Sequence, residues 1–330
     1  MSDIRLAVAP APHVRSTTRV PHIMWTVCIA LLPALASGIW FFGPRVLLVV
    51  ATAVAACVLI EYLGERIFFG RDGSAARDGS AAVTGLLLAF NLPASIPLWQ
   101  VCIGAIAAIG IAKLAFGGIG KNPFNPALVG RALMLTSFPA DMTSWPVPRG
   151  VAGFIDGVSG PTALGVLGDG GVAALRSGVA GAYGHIDLLL GSVGGCIGET
   201  SAIAVMIGGI VLVMRGHARL VAPLGFLGAL ALGTGAAWLI RPDLYADPLY
   251  HLVAGGAMLA AWFMVTDMTT TPMTRRGTLI LAAGAGLLTA LIRLFGALPE
   301  GASYSILVMN AFVPIIDRYA KPRRFGRSKR

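Results

Sequence analysis

Four polar stretches interrupt an otherwise apolar chain: 78–88 (DGSAAVTGLLL), 113–127 (KLAFGGIGKNPFNPA), 156–162 (DGVSGPT) and 194–201 (GGCIGETS). In the second stretch, the amides of Asn122 and Asn125 can satisfy free backbone groups or bind the polar edge of a ring. In the fourth stretch, the Glu199 carboxylate can stabilise a helix N-terminus or face an ion path. Each stretch also has a structural interpretation as a tight membrane turn, a helix start or a polar loop. Taken alone, 156–162 is only a polar turn.

Three basic residues lie inside apolar segments, where a charge is costly and usually faces a partner or a wet cavity. Lys113 and Arg293 are near segment ends, so their side chains could extend to the membrane surface or serve only structure. Arg131 lies deeper and is the stronger functional candidate. Together with Glu199, Arg131 and Lys113 are the candidates for an ion pathway.

The composition requires that these residues be positioned by membrane helices. Of the 330 residues, 56% are hydrophobic and 12% charged, and the mean hydropathy is +0.79. Soluble domains carry about 25% charged residues, so this chain lacks the polar surface of a soluble fold. The 43 glycines and 20 prolines suit membrane helices that pack closely and break around sites.

Apolar segments long enough to cross a bilayer need about twenty residues, and the chain supplies about ten candidates. Seven are clear and three are shorter, each of the three flanked by Pro, Gly or Asn. A further run, 188–197, is too short to span and could be a re-entrant start to the sixth helix. The clear segments are 23–42, 46–63, 99–116, 200–214, 220–239, 249–266 and 278–295, and the shorter ones are 81–92, 126–138 and 303–316.

The distribution of basic residues predicts the orientation. The net charge of +10 could suggest nucleic acid, but 18 of the 25 Lys and Arg fall on the side of the N-terminus if ten segments cross. Basic residues accumulate on the cytoplasmic side, so both termini are expected in the cytoplasm of a bacterial cell with the protein in its inner membrane. The predicted regions are a cytoplasmic segment 1–22, a membrane part 23–138, an external loop 139–187, a membrane part 188–316 and a basic cytoplasmic tail 317–330.

The two membrane parts resemble each other at one constant offset. The pairs Phe116-Gly117 and Phe295-Gly296, Pro93 and Pro272, and Pro44 and Pro223 are each 179 residues apart. With five segments in each part, the second copy would run in the opposite sense, as in many transporters with broken helices. The predicted fold is therefore an all-α membrane protein of two inverted five-helix repeats plus one external loop region.

The sequence contains none of the common motifs for metal, dinucleotide or nucleotide binding. Cys28, Cys57, Cys102 and Cys196 have no C-x-x-C spacing and are interpreted as small core residues, with ligation shared with a partner as the remote alternative. The N-terminus lacks a removable signal pattern. No GxGxxG strand–helix unit or P-loop is present, and neither a resident metal nor a catalytic residue is predicted here.

FGGIGKNPFNPALVG and GETSA are specific in combination, and with Arg19-Val-Pro-His-Ile-Met24 they extend a resemblance over nearly the whole chain. The chain resembles the D subunits of Rnf electron-transport complexes, which are similar to the B subunit of the sodium-translocating NADH:quinone oxidoreductase. The short N-terminal segment favours the Rnf group. The resemblance implies a subunit of a redox-driven translocase of the ferredoxin:NAD⁺ oxidoreductase type, coupled to Na⁺ or H⁺. Cluster- and FMN-bearing subunits and further membrane subunits would be its partners in the lipid bilayer.

In this family a threonine in a D-x-x-S/T-G-A-T motif carries FMN through a phosphoester bond made by a flavin transferase. Carried onto this chain, that residue is Thr162, with Asp156, Ser159 and Gly160 as motif partners in an exposed external loop. Pro161 departs from the usual alanine; it fixes φ and removes a donor. Asn122, Asn125, Glu199 and Thr200 are the other candidate cofactor contacts.

The resemblance also implies a second, non-covalent flavin, riboflavin, in the membrane part. Two alternatives to this function remain open from the sequence. One is the corresponding subunit of the quinone reductase, which has the same site and different partners. The other is a channel or carrier for a small polar solute, which inverted repeats would suit equally well. A covalently added FMN would separate the redox subunit from the carrier.

Overall fold

The computed structural model describes residues 19–148, 159–176, 184–296 and 301–321. These residues are helical with connecting turns; within them, the only β pairing is an isolated bridge between Pro146 and Ser159. Every predicted apolar segment contains a helix. The all-α prediction is therefore confirmed for the described ranges.

The first half of the chain contains helices α1 to α7. The helix α3 is long because its 25 residues are mostly Val, Leu and Ala, and it ends where Gly70 adopts the left-handed conformation. The bounds are α1 Val20–Ala30, α2 Leu32–Phe42, α3 Arg45–Phe69, α4 Ser80–Phe90, α5 Leu98–Ala105, α6 Pro126–Ser137 and α7 Pro139–Met142. A π-helical turn, Ile106–Ile111, and a 3₁₀ turn, Leu114–Phe116, continue α5.

The second half contains helices α8 to α15. Their bounds are α8 Ala163–Arg176, α9 His185–Leu190, α10 Ala202–Met214, α11 Val221–Ile240, α12 Pro248–Val253, α13 Ala257–Leu259, α14 Arg275–Phe295 and α15 Ala302–Tyr319. A 3₁₀ turn, Ile197–Glu199, precedes α10, and a second π-helical turn, Ala260–Met264, continues α13. Thus 188–197, expected as a possible re-entrant start, holds the end of α9 and a loop instead of one continuous helix.

Five helical segments are long and apolar enough to cross a membrane: Val20–Phe42, Arg45–Phe69, Leu98–Phe116, Val221–Ile240 and Arg275–Phe295. Large apolar side chains such as Leu48, Leu59 and Ile67 on α3 point away from the protein, as expected for helices whose outer surface meets lipid. The chain is a multi-pass membrane protein.

Helix packing depends on small residues inside the bundle. α3 packs against α4 and α5, and α11 packs against α14, which in turn contacts α15. A Cβ at Gly85 on α4 would lie 2.7 Å from the Cα of Val54 on α3, so only glycine permits this crossing. Since lipid supplies no hydrophobic drive between helices, close backbone approach of this kind is what holds the bundle together.

Candidate functional site

Thr162 lies immediately before α8 and stabilises its first turn. Its side-chain oxygen accepts a hydrogen bond from the backbone N–H of Gly165 at 3.0 Å, and its carbonyl accepts one from Val166 at 2.9 Å. This is the arrangement of an N-terminal cap, which threonine favours. The expectation of an exposed threonine was wrong, because only 8% of Thr162 is exposed.

The burial of Thr162 follows from the packing of the residues after it. Ala163 and Leu164 belong to a small apolar cluster with Tyr250 and Val253 of α12. The Tyr250 hydroxyl donates to the Ala163 carbonyl at 3.2 Å, so the start of α8 is tied to α12. Thr162 also borders a larger space on the side away from this cluster.

That space is a cavity of about 430 Å³ between the segment 159–162, the end of α6 and the start of α15. The segment is held in place because the Gly160 N–H donates to the Trp145 carbonyl at 3.0 Å and Ser159 pairs with Pro146. Thus three of the predicted motif residues lie together, and Asp156 lies outside the described residues. The lining includes Arg131, Leu135, Met142, Thr143, Trp145, Ser159, Gly160, Pro161, Thr162 and Tyr304.

Beneath this cavity lies a buried group of charged and polar side chains, here called the Arg131 centre: Arg131, Glu199, Arg293 and Asn91. The Arg131 guanidinium donates to the side-chain oxygen of Asn91 at 2.6 Å and lies 3.6 Å from the Oε1 atom of Glu199. A small void is lined by all four residues. The sequence-based prediction that Arg131 and Glu199 lie within the membrane part is consistent with their burial in this centre.

Arg293 has a structural role, which was one of the two roles expected for it. Its guanidinium donates to the backbone carbonyls of His251 at 2.6 Å and Ala254 at 3.1 Å. These carbonyls lie where α12 stops, so the arginine replaces the hydrogen bonds that a continuous helix would supply. Arg293 therefore holds a helix break and also adds a positive charge near Glu199.

A second group, here called the Lys113 centre, comprises Lys113, Glu61, Ser80 and Asp267. The Lys113 ammonium lies 2.6 Å from the Glu61 carboxylate and donates to the Ser80 hydroxyl at 2.6 Å. Lys113 is only 2% exposed, so the expectation that its side chain could extend to the membrane surface was wrong. The buried carboxylate of Glu61 is the physical reason, since it attracts the ammonium more strongly than a distant interface.

Asn122 and Asn125 lie beside the Lys113 centre, at the other end of α6 from the Thr162 cavity. Asn125 caps α6 by accepting from the Ala127 N–H at 3.1 Å. The Asn122 amide donates to the Phe124 carbonyl at 3.1 Å and to the Thr269 hydroxyl at 3.2 Å. Both asparagines, with Lys113 and Asp267, line a cavity of about 90 Å³. The predicted cofactor contacts therefore fall into two separate groups.

Thr200 is buried and its polar contacts are structural. Its hydroxyl donates to the Ile197 carbonyl at 3.2 Å and lies 3.3 Å from the Ser37 hydroxyl of α2. These contacts hold the 3₁₀ turn that carries Glu199 against the first half of the chain. Thr200 thus positions Glu199 by its place in the turn.

The sequence reasoning missed two buried acids and a third that is partly buried. Glu61 and Glu65 lie on α3 and are 2% and 4% exposed, and Asp267 follows the second π-helical turn. Asp267 accepts hydrogen bonds from the Thr269 and Thr270 hydroxyls at 3.0 and 3.2 Å. A signal was present for Glu61, because an acid within the apolar segment 46–63 requires a partner, and Lys113 was a base without an assigned one.

Metal binding has no support in the described ranges. Cys28, Cys57 and Cys196 are buried and Cys102 is partly buried, all as free thiols. Among the residues described, no three His, Cys, Asp or Glu side chains are grouped so as to hold a metal ion.

Comparison with known proteins shows which family the chain is related to over nearly its whole length. A sequence profile of the NQR2, RnfD, RnfE family matches residues 7–326. The chain belongs to this family. The predicted resemblance is confirmed, and the match covers both cavities and both charged centres.

Three relatives illustrate the range of the family. The D subunit of the proton-translocating ferredoxin:NAD(+) oxidoreductase complex of Clostridium ljungdahlii is 42% identical, over 97% of this chain and 96% of the relative. The D subunit of the Na(+)-translocating ferredoxin:NAD(+) oxidoreductase complex of Acetobacterium woodii is 40% identical, over 100% of this chain and 98% of the relative. The D subunit of an ion-translocating oxidoreductase complex of Escherichia coli O127:H6 is 37% identical, over 98% of this chain and 99% of the relative.

Proposed function

We propose that this chain is a membrane subunit of an ion-translocating ferredoxin:NAD⁺ oxidoreductase complex and that it carries FMN on Thr162. Near-complete coverage of the three relatives supports the first part. The observation that carries the second part is the Thr162 hydroxyl, which lines a cavity of about 430 Å³. Bound FMN would supply one-electron transfer, and the remaining subunits would supply NAD and cluster chemistry.

The surroundings of Thr162 suit a phosphoester. In the attachment reaction, the Thr162 oxygen would attack the FMN phosphorus of FAD, AMP would leave, and the hydroxyl proton would pass to a base of the flavin transferase. The resulting anion would lie at the N-terminus of α8, where free N–H groups and the helix dipole favour negative charge. Because Thr162 is buried, we propose that attachment precedes the packing of Leu164 against α12.

Intact mass measurement of the full-length chain tests this proposal directly. The chain is expressed with and without a flavin transferase and purified in detergent. Added mass of one FMN is expected with the transferase and not without it. The Thr162→Ala variant is expected to lose the added mass completely.

Thr143→Ala is the matched control, since Thr143 carries a hydroxyl and lines the same cavity. It is expected to retain the full FMN adduct. An unmodified wild-type mass in the presence of active transferase, or FMN retained by Thr162→Ala, would contradict the proposal.

A riboflavin site at the Asn122 end has less support. The cavity there has a volume of about 90 Å³, which is enough for a few water molecules and too small for a flavin ring. The second flavin therefore stays a prediction from the family resemblance. Extraction of the denatured Thr162→Ala protein and chromatography of the released flavin tests it, with stoichiometric riboflavin as the positive result.

We also propose that ten helices arranged as two inverted repeats form the membrane part. The pairs of matched residues fall at corresponding places in the helix order, which supports the repeat. Phe116 and Phe295 end the fourth long helix of each half, and Pro93 and Pro272 lie in the connections before those helices. The charge distribution supports cytoplasmic termini and an external Thr162 in the bacterial inner membrane.

Ion translocation is assigned to the two charged centres as a working proposal. Glu199 and Arg131 in one centre, and Lys113 in the other, are buried charges that border different cavities. A change of charge on a nearby redox group alters the cost of a cation in low dielectric, which would link electron transfer to ion movement. One relative is named as proton-translocating and another as Na(+)-translocating, so the proposal includes both H⁺ and Na⁺ as the coupling ion.

A further inference from the structure

Arg131 borders the Thr162 cavity and also the void beneath it. It lines the large cavity together with Ser159, Gly160 and Thr162. It also lines the small void that contains Glu199 and Arg293. The guanidinium therefore borders both the proposed flavin site and the void that contains Glu199.

Charged side chains of both signs border the small void. Among the described residues that line it, Arg131 and Arg293 are basic and Glu199 is acidic. The Oε1 atom of the Glu199 carboxylate lies 3.6 Å from Arg131, beyond hydrogen-bond distance, and it is buried without a hydrogen-bond partner. The guanidinium of Arg131 would stabilise an anion in the adjoining cavity, and the carboxylate of Glu199 would oppose one.

We propose that Arg131 raises the reduction potential of the flavin on Thr162, and that Glu199 moderates this effect by sharing the arginine's charge. The inference rests on the proposed attachment of FMN to Thr162. It assigns to these two residues a role in setting the direction of electron transfer. This role is separate from the proposed ion pathway.

The physical reason is the change in charge on reduction. Each electron that the flavin accepts from a neighbouring carrier of the complex adds negative charge unless a proton accompanies it. A guanidinium bordering the same cavity stabilises that charge, because the surroundings have a low dielectric. Glu199 acts in the opposite sense, since its negative charge opposes the electron and reduces the field of Arg131.

A reductive titration of the full-length flavinylated chain in detergent tests the inference, with dithionite as reductant and redox dyes as mediators. The Thr162→Ala variant identifies which part of the absorbance change belongs to the covalent flavin. Arg131→Gln is expected to lower the potential of that flavin, and Glu199→Gln is expected to raise it. The equilibrium constant for one-electron reduction should change about tenfold in each case, which corresponds to about 59 mV.

Two control variants separate charge from structure. Arg131→Lys keeps the charge and should keep a potential near that of wild type. Tyr319→Phe removes a neutral polar group from the exposed end of α15, away from the cavity lining, and should leave the potential unchanged. If Arg131→Gln fails to assemble, the rise expected for Glu199→Gln decides the matter alone.

The role of Arg131 and the attachment of FMN are overturned by different results. Unchanged potentials, or shifts of the same sign in Arg131→Gln and Glu199→Gln, would overturn the role of Arg131 while leaving the FMN adduct in place. An intact-mass result without FMN would instead overturn the attachment itself, whatever the titrations show.

Discussion

The Arg131 centre and the Lys113 centre are both buried and charged, and they differ in sign and in closeness of contact. In the first, two arginines face one glutamate, whose Oε1 atom lies 3.6 Å from Arg131. In the second, one lysine faces two acids, Glu61 and Asp267, and contacts Glu61 at 2.6 Å. Among the described residues, basic side chains therefore predominate around the void beside Arg131, and acidic side chains predominate around Lys113.

The difference in contact also predicts a difference in energy. Lys113 forms a direct ion pair at 2.6 Å, whereas the 2.6 Å contact of Arg131 is to the neutral amide of Asn91. Removing one partner of a close buried ion pair leaves a charge without compensation, which costs more than the pair itself contributes. Breaking the ion pair of Lys113 and Glu61 should therefore have the largest effect on stability, and substitutions of exposed pairs the smallest.

Lys113→Met is expected to have the largest effect, because it leaves the Glu61 carboxylate buried without its cation. The free energy of unfolding should fall by about 3–5 kcal/mol, measured by reversible SDS titration of the detergent-solubilised chain. The control is the double variant Lys113→Met with Glu61→Gln, which removes both charges and should regain most of the loss. A double variant no more stable than the single one would show that the ion pair is not the source.

Asn91→Leu is expected to have an intermediate effect, about 2 kcal/mol, because it removes the acceptor of a hydrogen bond from a buried guanidinium. Ser80→Ala is the matched variant in the other centre and should cost about 1 kcal/mol, because Lys113 retains Glu61. The same unfolding titration measures both. The reverse order would mean that the Asn91 amide contributes little to the Arg131 centre.

His185→Ala is expected to have the smallest effect. The His185 imidazole lies 3.0 Å from Asp247, but their side chains are 44% and 35% exposed. Exposed pairs of this kind contribute about 0.2–1 kcal/mol and weaken with salt. The unfolding free energy should therefore change by less than about 1 kcal/mol. A loss of unfolding free energy as large as that of Asn91→Leu would show that the exposure of a pair does not determine how much it stabilises the protein.

Much of the architecture was predictable, because apolar length determines helices in a membrane. The helix Arg45–Phe69 and the helix Arg275–Phe295 contain the predicted 46–63 and 278–295. The helix break at Ala254 and Gly255 could not be located so well, because it depends on Arg293, 39 residues from Ala254 in sequence, binding the freed carbonyls. Hydropathy contains no information about such a contact.

The site was predictable in its residues more than in its geometry. Thr162, Ser159 and Gly160 are found together as the motif implied, yet the burial of Thr162 depends on Tyr250 from a distant helix. Likewise, Asn122 and Thr162 were both candidate cofactor contacts, and the motifs did not show that the two residues border different cavities. The ion pair of Lys113 and Glu61 could have been predicted from the sequence, since both residues lie in apolar segments and carry opposite charge.

The π-helical turn Ile106–Ile111 has a consequence for comparisons among relatives. Its i to i−5 hydrogen bond, from Ala112 to Ala107, means that the helix carries one residue more than α-helical geometry requires, just before Lys113. Removing that one residue would restore α-helical bonding and keep Lys113 facing Glu61. A deletion earlier in the helix, within Leu98–Ala105, would rotate Lys113 by about 100° relative to the start of the helix. Single-residue gaps should therefore be tolerated at 106–111 and selected against within Leu98–Ala105.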